Sequence, residues 1–213
     1  MLALILVIVF TTLGFYLGPT IRKSFTVAAI VLTLIAILAT VWNDFPLLKP
    51  FYQGFVGLAF LYVVMIIGAL NLKSTLRKKL NGVRKEYSIY GFISLTPHAL
   101  KFLWAWIQGT ETFEWWGVLS FVVMIPLFIT SFYLIRKKMT PKGWKQLQQF
   151  AYLAYGLLFV HLILRYTETI NLVIYIVMML SYTGLKLAYE WRRLRQVNRV
   201  VAPSTLKSQK SKA

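Results

Sequence analysis

Seven apolar stretches separated by short polar turns dominate this sequence of 213 residues. Each is close to the roughly 20 helical residues that cross about 30 Å of hydrocarbon. A backbone in lipid must satisfy its own hydrogen bonds, which restricts spanning segments to helices and closed barrels. None of the stretches alternates apolar and polar residues as a barrel strand does, so they read as helices over about 1–18, 24–42, 51–72, 87–107, 115–135, 146–165 and 169–189. Gly18-Pro19, Asn43 to Pro50, Asn81-Gly82, Gly109 and Pro141 to Gly143 fall between them as turn signals. The expected fold is an all-α integral membrane protein, a bundle of about seven transmembrane helices, or six if the first is not a span. The opening segment lacks a basic start and a small-residue cleavage pattern, so a first span fits it better than a removed signal peptide.

A hydrophobic content of 58% and a mean hydropathy of +0.65 exceed the balance of a soluble domain. The net charge of +18 lies in the connections rather than on one soluble face, which argues for a lipid surface and against nucleic acid as partner. With no cysteine there is no disulfide, no thiolate metal site and no covalent haem attachment.

Of the 24 basic residues, 21 fall on one side of the expected bundle: Arg22 and Lys23, the run from Lys73 to Lys85, the run from Arg136 to Lys145, and those from Lys186 onward. Cytoplasmic loops are enriched in Lys and Arg, so that side is cytoplasmic, the N-terminus is outside, and the protein is a multi-pass component of the cell membrane. The opposite side receives Lys49, Lys101 and Arg165 with Asp44, Glu111, Glu114 and Glu168. Residues 1–190 form the expected helical bundle and 191–213 a basic cytoplasmic tail, its end "APSTLKSQKSKA" unstructured beside anionic lipid. No G-x-G-x-x-G fingerprint follows a strand.

The chain has two histidines, His98 in "SLTPHALKFLW" and His161 in "YGLLFVHLILRY". An ionisable residue inside a span is costly and marks a functional hypothesis, although one histidine alone reads equally well as an interhelical hydrogen-bonding group. Both helices run outward. His98 lies about nine residues from the outer end and His161 about four, or roughly 14 and 6 Å at about 1.5 Å per residue. Two imidazoles approaching a plane from opposite sides suit six-coordinate haem iron. Zinc requires three or four ligands, and no cysteine or intramembrane carboxylate is expected near these positions. Haem, with His98 and His161 as iron ligands, therefore fits the pair better than zinc. The competing reading is a cofactor-free scaffold or transporter-like bundle whose histidines pair with neighbouring helices.

Lys101 stands at i+3 from His98 and Arg165 at i+4 from His161, each sharing its histidine's face. They read either as partners of haem propionates or as long cations reaching the headgroups. Pro97 removes the helical hydrogen bond to the Ile93 carbonyl, which either re-aims His98 or only kinks the helix for packing. Trp104, Trp106, Trp115 and Trp116 suit an interfacial aromatic belt. Electron transfer is the alternative role for Trp104 and Tyr155.

The segment "RKEYSIYGFISLTPHALKFLW" resembles the first haem-ligand helix of the ferric reductase-like transmembrane domain family. The segment "ITSFYLIRKKMTPKGWKQLQQFAYLAYGLLFVHLIL" is similar to the haem-binding subunit of the bacterial periplasmic methionine sulfoxide reductase, at Thr130, Ser131, Arg136, Trp144, Leu147, Tyr152 and His161. Family members often carry another histidine where this chain has Gln148. The resemblance covers about residues 50 to 190. It implies a b-type haem, a cytoplasmic flavin reductase or membrane quinol as donor, and an acceptor or redox partner on the outer side. It also implies FMN, FAD or a quinone at the cytoplasmic side, near Trp144 and Lys145. Gln148 is a poor iron ligand, so one haem is expected rather than two.

Overall fold

The computed structural model describes residues 1–42, 45–165 and 169–210, with side chains described up to residue 195. Asp44 and Glu168, two of the acids expected on the outer side, lie outside the described residues, as do 211–213. The described elements, in chain order, are α1 (Leu2–Lys23), α2 (Phe25–Val41), a 3-10 turn (Pro46–Leu48), α3 (Lys49–Tyr52), α4 (Phe55–Ala69), α5 (Thr75–Asn81), α6 (Arg84–Ile107), α7 (Trp115–Ile129), α8 (Tyr133–Arg136), α9 (Pro141–Arg165) and α10 (Thr169–Lys210). No strand occurs among the described residues.

α1, α9 and the Thr169–Arg195 part of α10 are long and apolar enough to cross a membrane. The expected span 51–72 is instead broken. Gly54 adopts φ 78°, a left-handed conformation that favours glycine, and the chain bends by 47° between the Pro46–Tyr52 segment and α4. Counted as one span, that pair raises the number to four. α2 and α7 have 17 and 15 residues. At about 1.5 Å per residue they reach roughly 26 and 22 Å, short of a full hydrocarbon thickness. α7 stops at Ile129 rather than near residue 135 because Phe132 is extended.

Two boundaries move outward for local reasons. α9 begins at Pro141, five residues before the expected start. Thr140 caps it by accepting the Gly143 N–H at 3.1 Å, and proline at the first helical position forgoes an amide that would have no partner there. α10 continues to Lys210, so the part of the tail's end from residue 202 to Lys210, expected to be unstructured, is helical backbone. α6 runs unbroken through Pro97.

The core sits around α4, whose residues from Val56 to Met65 are buried all round. α4 packs chiefly on α6, with α1 and α10 beside it, while α7 pairs with α9. Close approach of α4 and α6 depends on Gly57 and Gly91: a Cβ on the first would lie 2.8 Å from Leu95, and on the second 2.9 Å from Leu61. Small residues at crossings allow such contact between membrane helices. Buried hydroxyls then tie elements together, Tyr62 donating to the Met178 carbonyl at 3.0 Å and Ser120 to the Ala154 carbonyl at 2.9 Å. The second bond fixes α7 against α9, two turns from His161.

Candidate functional site

α6 and α9 bring the two histidines together. Their ring centroids are 6.3 Å apart with planes inclined by 67°. The difference in depth expected from residue counting does not keep the two rings apart. Both rings line a cavity of about 550 Å³, a size typical of small-molecule sites, which Lys101 and Arg165 also line.

Backbone placement defines each imidazole. His98 Nδ1 lies 3.1 Å from the Tyr52 carbonyl, at the end of α3. A carbonyl only accepts, so Nδ1 carries the proton there and Nε2 keeps a free lone pair. The bend at Gly54 is what brings that carbonyl within reach, and a Cβ on Gly54 would lie 3.1 Å from the His98 ring. His161 is cradled by Gly117 of α7, where a Cβ would lie 3.1 Å from two ring atoms.

His161 Nδ1 is buried without a hydrogen bond, and its nearest acid is Glu114, with Oε2 at 3.6 Å. A carboxylate that the charge map assigns to the outer side thus lies beside His161. Glu114 precedes the first residue of α7 and so stands over the end of α9 rather than in a distant loop. Arg165 lies 3.8 Å from Glu114 and 3.5 Å from Glu111. Lys101 Nζ lies 4.3 Å from the centre of the Tyr52 ring. Both cations thus flank the histidine cavity, with Arg165 held by acids and Lys101 by an aromatic face.

Sequence reasoning missed Tyr52, Gly54, Glu114 and Gly117. Glu114 carried a signal, an acid directly before an apolar helix, but nothing local tied it to His161. Trp104 is exposed, whereas Tyr155 is buried on the wall of a second cavity. That cavity, of about 810 Å³, is also walled by Trp144, Lys145 and Gln148 and by no histidine. Gln148 Nε2 donates to Thr130 Oγ1 at 3.2 Å, and Trp144 Nε1 donates to the Thr130 carbonyl at 3.2 Å. Buried Met124 lines both cavities.

No group of three or more His, Cys, Asp or Glu side chains able to hold a metal occurs among the described residues. A pair of neighbouring imidazoles is a different donor set, one that would suit a haem iron. The free lone pair on His98, the glycine at each ring and the mostly apolar walls fit such a group.

Fold and site together define a helical membrane protein with a half-buried histidine pair lining a cavity. The chain belongs to the family of ferric reductase like transmembrane components, whose sequence pattern matches residues 53–159. The match includes His98 and ends two residues before His161. An uncharacterized protein of Treponema pallidum (strain Nichols) is 36% identical over 85 residues, 38% of this chain and 24% of that protein. The chain therefore aligns with about a quarter of that relative's length. No solved structure matches.

Proposed function

We propose that this chain is a haem b protein carrying electrons outward across the cell membrane, in which His98 and His161 would hold the iron of one haem. The observation that carries the reading is the 6.3 Å separation of the two imidazoles across a cavity that both line. Bound haem supplies reversible one-electron chemistry, while the chain supplies ligation, burial and charge.

Each residue has a stated task. The Tyr52 carbonyl holds His98 in the tautomer that leaves Nε2 free. Glu114 faces Nδ1 of His161 and favours the orientation that turns Nε2 away from it. Lys101 and Arg165 stand at the cavity where anionic propionates need compensation. Apolar walls including Phe121, Val122 and Leu162 keep water from the pair.

The donor is quinol or a flavin reductase at the cytoplasmic face, with FMN, FAD or quinone near Trp144 and Lys145, and the acceptor is a redox partner on the outer side. The basic bias of the connections supports that orientation, with the N-terminus outside and the bundle spanning about seven times. Met124, common to both cavities, supports a short path between the two ends. The chain then acts as the membrane subunit of an oxidoreductase, and the similarity to the haem-binding subunit of periplasmic methionine sulfoxide reductase supports that role. The absorption spectrum of protein purified from haem-replete cells tests the reading. A Soret band and a reducible α-band are expected, and a colourless protein refutes it.

A further inference from the structure

The second cavity has a charge that electron transfer through the histidine pair does not explain. Seven cations line it, from Arg77 and Arg84 near the ends of α5 and α6 to Lys186 and Arg193 on α10, against a single carboxylate, Glu190. Glu190 engages Lys186 at 2.7 Å and Arg193 at 3.3 Å. Lys85 lies 3.9 Å from Glu86, which is off the wall, while Arg77 and Arg136 are held by neutral groups. Arg77 stacks over Tyr189 at 5.0 Å and donates to the Leu70 carbonyl, and Arg136 stacks over Trp144 at 4.0 Å. Arg84 faces Gly68, where a Cβ would lie 3.5 Å from its guanidinium. Aromatic faces and carbonyls fix a cation in place without cancelling its charge.

The walls are also layered. Leu61, Val64, Phe92, Leu127 and Phe128 line the same cavity as the cations, so its occupant meets apolar surface and positive charge together. We propose that this cavity is a phosphate-binding site, taking the phosphate of an anionic amphiphile against Arg84, Lys145 and the stacked arginines, with its apolar body against the leucine and phenylalanine walls. Arginine forks match phosphate oxygens, and basic pockets between helices at the cytoplasmic side of membrane proteins hold anionic headgroups. The phosphate belongs either to an anionic phospholipid or to a soluble phosphate ester. The site meets neither histidine, so it stands independently of the haem assignment; it shares Trp144 and Lys145 with the place proposed above for FMN, FAD or quinone, and a flavin nucleotide there would be one such soluble phosphate ester.

The test uses the full-length protein, delipidated in neutral detergent, with native mass spectrometry counting bound dioleoylphosphatidylglycerol, dioleoylphosphatidylcholine and glycerol 3-phosphate. The variant pair Arg84→Gln with Lys145→Gln removes two wall cations. Lys78→Gln with Lys138→Gln removes two cations at the same end but off the wall. Selective binding of the glycerol lipid, weakened roughly thirtyfold by the wall pair and not by the control pair, supports the proposal with a lipid source. Saturable binding of glycerol 3-phosphate that displaces that lipid supports it with a soluble source. Equal retention of the two lipids without glycerol phosphate binding overturns it, as does equal weakening by both variant pairs. Unchanged helical circular dichroism of each variant ensures that loss of binding is not loss of fold.

Discussion

The Glu114 carboxylate stands 3.6 Å from Nδ1 of His161 and is itself flanked by Arg165. His98, in contrast, meets the neutral Tyr52 carbonyl. The two imidazoles are thus inequivalent, one oriented by a backbone dipole and the other by a charge. Carboxylate partners raise the basicity of a ligating imidazole, and removing them typically weakens metal binding about 10- to 100-fold.

Glu114→Gln is therefore expected to weaken haem binding by about 10- to 100-fold and to raise the reduction potential. Haem titration of the apoprotein and a potentiometric titration check this. Glu111→Gln, which touches Arg165 alone of the site residues, is expected to leave both nearly unchanged.

Replacing His98 or His161 by alanine is expected to abolish stable haem binding, because the chain has no other histidine. Electron paramagnetic resonance of the oxidised protein reads the ligation directly. A low-spin bis-histidine signal persisting in either variant refutes the assignment.

Gly54→Ala and Gly117→Ala each place a methyl 3.1 Å from an imidazole atom. Gly54→Ala also forces a left-handed backbone at a cost of about 1–2 kcal/mol. Gly54→Ala is expected to lower both thermal stability and haem occupancy. Gly117→Ala, inside α7 where alanine is favoured, is expected to lower occupancy with the melting temperature nearly kept. Thermal melts beside haem-to-protein absorbance ratios separate the two.

One haem per chain is expected, because the second cavity has no histidine on its walls and Gln148 spends its amide on Thr130. A pyridine haemochrome assay against protein concentration measures the ratio. A reproducible value near two contradicts the single site.

Cysteines introduced at Lys79 and Glu111 are expected to label from opposite sides of the membrane, with Glu111 reached in intact cells. Lys79 belongs to the basic side of the chain and Glu111 to the loop beside the histidine pair. Labelling of Lys79 from outside would reverse the direction of electron flow.

The sequence by itself determined the helical class and the membrane setting, because hydrocarbon admits few backbone solutions, and it singled out His98 and His161, because hydrocarbon penalises ionisable groups wherever they lie along a helix. It also marked Lys101 and Arg165, since i+3 and i+4 spacing fixes which side chains share a face. Helix ends were less legible where polar turns such as Pro141 to Gly143 join the helix through a cap. What only the tertiary structure decided was the pairing itself: a 6.3 Å separation depends on how α6 and α9 tilt, and residue counting along separate helices carries no information about tilt. The same holds for Tyr52, Glu114 and Gly117, which reach the imidazoles from three other segments. Their contacts arise from the bend at Gly54 and the packing of α7 on α9, non-local geometry that no spacing along one helix encodes.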